Sequence, residues 1–293
     1  MTSRATVFVP SSDGVTIAIH DLGGDKGAEP LVICHATGFC GRAYQALADE
    51  LTGRFHVLAI DFRGHGDSSV PANGNFDWAA MADDLLAALD ANAAGGPVVG
   101  FGHSLGGGAL MLAELRRPGT LRAAHLFEPI VLASRPPSGL DGPPAPQPGG
   151  GPDMMSLAAR RRRATFSSKA EAIWRYSTRP PLNVLQSGCL AAYVEHGMKE
   201  LPDGSVQLKC SPDSEAATFE AAGKPTIEIV RGVLTPTTVA IGTTERGWTP
   251  GSLGPAIADA LPHGRLDRHP LLGHFGPLQG PATVGAMILD ALF

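Results

Sequence analysis

The sequence predicts an α/β fold: a mostly parallel eight-stranded sheet with helices on both faces and an inserted helical cap. Three observations predict it. Short runs of Val, Ile and Leu alternate with helical patterns over the first 135 residues, as a parallel sheet buried on both faces requires. The alternation stops at a stretch crowded with Pro and Gly, passes through a helical segment, and resumes near residue 235. A serine between glycines sits where an apolar strand pattern meets a helical one.

TVFVP and VTIAIHDLG, joined by SSDG, read as an opening hairpin. LVICHA (31–36) is a short apolar strand, and Tyr44, Leu47 and Leu51 then recur at helical spacing. HVLAIDF (56–62) is the next buried strand. In FDWAAMADDLLAALDANA the residues Trp78, Met81, Leu85, Leu86 and Leu89 form the apolar stripe of an amphipathic helix. PVVGFG (97–102) is a strand that runs straight into the helical SLGGGALMLAEL, and LRAAHLFEPIVL (121–132) supplies one more strand. Residues 136–153, PPSGLDGPPAPQPGGGPD, can be neither helix nor strand and read as a connector. Residues 154–233 read as helical throughout. TPTTVAIG (235–242), SLGPAIADAL, RLDRHPL and ATVGAMILDAL then give strand, helix, strand and helix. The expected division is therefore core 1–135, connector and cap 136–233, and core 234–293.

Composition narrows the functional classes. Hydrophobic residues are 43% and charged residues 17%, enough to build one large core. A formal net charge of −5 offers no basic surface for nucleic-acid phosphates, so no nucleic-acid partner is expected. Cys34, Cys40, Cys189 and Cys210 lack CxxC spacing; buried thiols in a reducing cytoplasm are expected, with no metal site. The N-terminal residues have no apolar signal region, and no run approaches the roughly 18 apolar residues of a membrane span.

Gly102-His103-Ser104-Leu105-Gly106 fits the G-x-S-x-G pattern, with a strand before it and a helix after it. A serine on such a turn is held above the strand ends, and the flanking glycines avoid clashes there. The helix N-terminus beside it favours developing negative charge.

With this motif the chain resembles the α/β-hydrolase family over roughly residues 1–135 and 230–293. DFRGHGDSS (61–69) resembles the family's loop after the fourth strand, where Arg63 and His65 have a structural role. HATGFCG (35–41) lies where the family places its oxyanion loop. The resemblance implies Thr37 and Leu105 as oxyanion donors through their backbone N–H groups, with Gly38 and Phe39 as other candidates in that loop. It also implies His274, in GHFGPL before the final helix, as the base. An imidazole can take a serine proton near neutral pH. His35 and His103 lie inside the motifs, where such residues pack or hydrogen-bond. His103 is also assigned to the substrate side, with Phe39 and Trp248.

The acid has two candidates. Glu245 follows Gly242 by three residues after the seventh strand, the family's usual place, and the order Ser104, Glu245, His274 suits the fold. Glu128, in HLFEPIV at the end of the sixth strand, is the alternative acid. Glu245 is preferred on this pattern. The expected function is hydrolysis of a small, apolar, ester-like molecule without metal or organic cofactor. Hydrolysis of an amide, lactone or carbon–carbon bond, or non-catalytic binding of a small ligand, are the alternatives. The run Arg160–Arg163 reads as a solvated face, with anion binding as the sharper alternative.

Overall fold

A computed structural model describes residues 5–91, 96–133, 154–244 and 249–293. The connector at 136–153 and the residues Glu245 and Trp248 lie outside the described residues. The first part carries β1 (Thr6–Pro10), β2 (Thr16–Gly23), β3 (Glu29–Cys34), α1 (Gln45–Leu51), β4 (Phe55–Ile60), α2 (Trp78–Ala91), β5 (Val98–His103), α3 (Leu105–Arg116) and β6 (Leu121–Phe127). Between β6 and the last strands come α4 (Met154–Arg160), β7 (Thr165–Phe166), α5 (Lys169–Thr178), α6 (Ser187–Gly197), β8 (Met198–Glu200), β9 (Val206–Leu208), α7 (Pro212–Glu220) and α8 (Ile227–Val230). The chain closes with β10 (Thr237–Gly242), α9 (Gly254–Ala260), β11 (Gly264–His269), α10 (Gly276–Gln279) and α11 (Pro281–Leu292).

Eight strands form one sheet in the order β1-β2-β4-β3-β5-β6-β10-β11. Only the pairs of β2 with β1 and with β4 are antiparallel. The reason the central strands read as unbroken apolar runs is visible in their two faces. Leu31 and Ile33 point into the cluster built with Leu47 of α1 and Val284 and Ile288 of α11. Val32 and Cys34, one residue out of phase, point into the cluster with Met81 and Leu85 of α2, Leu110 of α3 and Ile257 of α9. Burying each such Leu or Ile side chain is worth about 1.5–3 kcal/mol, so both helical layers are held by the sheet. No helix among the described residues is long and apolar enough to cross a membrane.

The inserted segment departs from the helical expectation. β7, β8 and β9 form a small antiparallel sheet in the order β7-β9-β8. These strands have two or three residues each, too few for a period of two to register in the sequence.

The turn after β4 has the structural role expected of it. Arg63 is fully buried, with Nε and Nη2 on the two oxygens of Asp84 and Nη1 on Asp13. Asp61 accepts the Gly41 N–H on Oδ1, and on Oδ2 the Asp67 N–H and His20 Nε2–H. This carboxylate ties the turn to the loop that follows β3. Asp67 completes the one group of metal-ligand atoms within 4.8 Å of one another among the described residues. His20 Nδ1 faces Arg42 Nε–H at 3.1 Å, which puts the ring proton on Nε2, toward Asp61. The group is a hydrogen-bonded brace.

Candidate active site

Ser104 is the single residue between β5 and α3, at φ 55° and ψ −112°. A non-glycine residue in this region costs about 1–3 kcal/mol, and such strain collects at functional sites. The flanking glycines are needed for close approach. A Cβ on Gly106 would sit 2.0 Å from the Cys34 carbonyl oxygen, and one on Gly102 2.6 Å from the Gly107 Cα. The tight turn thus presses α3 against β3 and β5 and leaves Ser104 at their upper ends, 7% exposed.

The loop 35–41 emerges from β3 beside this turn, because β3 pairs with β5 up to Cys34 and Gly102. His35 braces it, donating from Nδ1 to the Ala36 carbonyl (2.8 Å) and accepting the Phe62 N–H on Nε2 (3.0 Å). Burial, reinforced by the neighbouring His65, pushes the His35 imidazole down to about 3. The Phe39 N–H is spent on the Ala36 carbonyl at 3.1 Å, which removes Phe39 as an oxyanion donor. The N–H groups of Thr37, Gly38 and Leu105 find no acceptor among the described residues.

His274 follows β11 in a loop held by the Gly273 N–H on Gln279 and by the turn into α10. Its Nδ1 lies 2.7 Å from Glu128 Oε2. Glu128 is 1% exposed and ends β6 in a left-handed conformation, φ 45°. Its backbone N–H goes to the Ala240 carbonyl, so the strand's pairing with β10 fixes where its carboxylate points. Oε1 accepts the Gly242 N–H at 2.9 Å. The glycine that made Glu245 attractive therefore serves Glu128. Glu245 itself is outside the described residues; Thr244 before it donates to the Leu272 carbonyl.

His103 corrects an expectation. It is fully buried, and both ring nitrogens are bonded: Nδ1 to Tyr44 Oη (2.7 Å) and Nε2 to the His274 carbonyl (2.8 Å). Its place is behind the site, not on the substrate surface. Tyr44 Oη also accepts the Ala36 N–H at 3.1 Å. In the sequence Tyr44 looked like one more apolar helix position, and nothing local marks its hydroxyl. Phe39 makes ring contacts with Tyr193 (4.9 Å) and with Phe275 (5.8 Å), the residue after His274.

Three of the four arginines, Arg160, Arg161 and Arg163, are exposed, as a solvated face requires, and Arg162 departs from it. Arg160 pairs with Asp213 and Glu220, and Arg163 with Glu171, joining α4 and the segment after it to α7 and α5. Arg162 pairs with Glu215 and donates to Tyr193 Oη at 2.9 Å. A Cβ on Gly38 would lie 2.7 Å from Glu215 Oε1 and 3.0 Å from Arg162 Nη1, so this ion pair rests on the loop 35–41. Only Arg161 of the four faces solvent unpaired among the described residues.

Comparison with known proteins matches residues 31–286 to the family described as "Alpha/beta hydrolase family". Lipase LipV of Mycobacterium tuberculosis is 35% identical over 108 residues, 37% of this chain and 40% of that protein. The 2-(acetamidomethylene)succinate hydrolase of Mesorhizobium japonicum is 33% identical over 110 residues, 36% of this chain and 39% of that protein. The chain thus spans about two fifths of the length of these relatives. Among solved structures, that of E-2-(acetamidomethylene)succinate hydrolase superposes with a TM-score of 0.74 at 18% identity, covering 98% of this chain and 99% of that one. At that identity the likeness concerns the fold.

Proposed function

The chain belongs to the alpha/beta hydrolase family, and on that premise we propose that it is a serine hydrolase of small carboxylic esters acting through an acyl-enzyme. Ser104 Oγ attacks the ester carbonyl while His274 takes its proton on Nε2, the nitrogen not turned to Glu128. Glu128 is the acid of this reading: it holds the imidazole by Nδ1 and stabilises the imidazolium. The negative oxygen is received by the N–H of Leu105 and of Thr37. His274 then protonates the leaving alkoxide, and a water deprotonated by the same imidazole releases the acid and restores Ser104. Residues 154–233 cover the site as a cap, with Tyr193 and Phe39 toward the acyl group.

The observation that carries the reading is the 2.7 Å contact of Glu128 Oε2 with His274 Nδ1, behind a strained serine on a strand-to-helix turn. The relative named a lipase supports the ester. The test is turnover of p-nitrophenyl esters of graded chain length beside matching anilides and lactones. Ester turnover abolished in Ser104→Ala supports the reading. Turnover confined to anilides or lactones replaces the ester by that bond, and no turnover at all makes the protein a binder of a small ligand.

A second reading gives the substrate a carboxylate, read by Arg162. It is favoured by the position of Arg162 Nη1 beside Gly38 and by the relative named 2-(acetamidomethylene)succinate hydrolase. Glu215 already holds one edge of that guanidinium, which is why this reading stands second. Preference for a p-nitrophenyl hemisuccinate over the butyrate, lost in Arg162→Met, would establish it.

A further inference from the structure

Three polar groups form one directed chain behind the site. A carbonyl oxygen can only accept, so the 2.8 Å contact with the His274 carbonyl places a proton on His103 Nε2. The neutral ring then has its lone pair on Nδ1, which accepts from the Tyr44 hydroxyl at 2.7 Å. The Tyr44 oxygen in turn accepts the Ala36 N–H at 3.1 Å. Each donor and each acceptor is used, and both side chains are fully buried. Burial and the His274 ring push the His103 imidazole well below its ordinary range, which keeps it neutral.

The chain joins the three backbone elements that the proposed reaction needs in register. Ala36 precedes Thr37, His103 precedes Ser104, and the last acceptor is the carbonyl of His274 itself. Packing alone asks for nothing polar here, since the adjoining rings include Phe101 beside Tyr44 and Phe127 and Phe275 beside His103. Burying a hydroxyl and an imidazole costs free energy unless both are hydrogen-bonded. We propose that Tyr44 and His103 are positioning residues that hold the oxyanion loop and the His274 loop at set distances from Ser104 without touching substrate. This rests on the serine-hydrolase reading above and adds to it how the parts keep their register.

The test compares the unaltered protein with Tyr44→Phe, His103→Phe, their double variant and His103→Gln on p-nitrophenyl acetate, with circular-dichroism melting curves. If the unaltered protein neither reacts with a fluorophosphonate nor turns over the ester, the serine-hydrolase reading fails and takes this proposal with it. If it does both, the variants judge the proposal alone. Each Phe variant is expected to lower kcat roughly 10–100-fold, the scale of a misplaced reacting group. KM should stay within about threefold, since ground-state binding is untouched. The double variant should lose no more than the weaker single one, because one chain is cut in both. His103→Gln keeps a donor for the His274 carbonyl and should recover most of kcat. Variants that melt lower but keep kcat, or single losses that multiply in the double variant, overturn the proposal. Nitrogen NMR of the unaltered protein needs no variant. It should find His103 as the neutral Nε2–H tautomer at neutral pH; the Nδ1–H tautomer there overturns the proposal.

Discussion

Glu128 and His274 meet at 2.7 Å, carboxylate Oε2 on imidazole Nδ1, although 146 residues separate them in the chain. The pairing of β6 with β10 makes the contact, since it sets the end of β6 beside Gly242 and turns the carboxylate toward the histidine loop. Glu128→Gln is therefore expected to lower kcat by about 10³–10⁴-fold, the loss typical when the orienting carboxylate is neutralised. Glu245→Gln should stay within about tenfold of the unaltered protein. Steady-state kinetics on one ester, with melting curves to exclude unfolding, decides between them. The reverse ranking would return the role to Glu245.

Arg63 is a stability residue. With its side chain and that of Asp84 both at 0% exposure, Arg63→Met strands a buried carboxylate. The expected loss is about 3–5 kcal/mol of unfolding free energy. Lysine should not rescue it, because one ammonium cannot reach Asp84, Asp13 and Ser12 in the directions that the guanidinium does. Urea unfolding measures the difference, and an unchanged midpoint would remove Arg63 from this role.

Acid should weaken the fold through buried histidines. Burial lowers His35 to about 3 and His125 to about 4, both from an ordinary 6.5. Below 6.5 the unfolded chain therefore binds protons that the folded chain refuses. The stabilisation is complete above that pH and falls away as pH drops, toward about 4 for His125 and about 3 for His35. Each contributes up to about 1.4 kcal/mol per pH unit across its window. Denaturant midpoints taken from neutral pH down to about 4.5 should decline steadily; midpoints independent of pH in that range would contradict this.

His125 also offers a stabilising change. It is buried in β6, stacked on Phe101, and neither ring nitrogen has a hydrogen-bond partner among the described residues. His125→Leu removes both orphaned atoms at similar volume and should add about 1–2 kcal/mol. The same variant should show a shallower loss of stability in acid. A lower melting temperature at neutral pH would mean that the imidazole is satisfied after all.

What could be read in advance follows from how local each signal is. Strands β3, β4 and β5 announce themselves by apolar runs, and Ser104 and His274 by short motifs whose glycines meet local steric needs. The acid is different. Glu128 and Glu245 follow adjacent strands of one sheet, and only the register of β6 on β10 and the φ of 45° at Glu128 turn that carboxylate toward His274. Tyr44 was hidden for the same reason: its spacing with Leu47 and Leu51 is that of a core residue, and its partners are 8 and 59 residues away. The ion pairs of Arg160, Arg162 and Arg163 depend on how α4, α5 and α7 pack, which no run of four arginines reveals.

The central claim is that Ser104 is a nucleophile activated by His274 and Glu128, and intact-protein mass spectrometry after fluorophosphonate treatment tests it most directly. The account predicts a single adduct on Ser104, absent from Ser104→Ala and formed far more slowly in Glu128→Gln. A folded, unaltered protein that takes up no label, or takes it up at a residue other than Ser104, would contradict it.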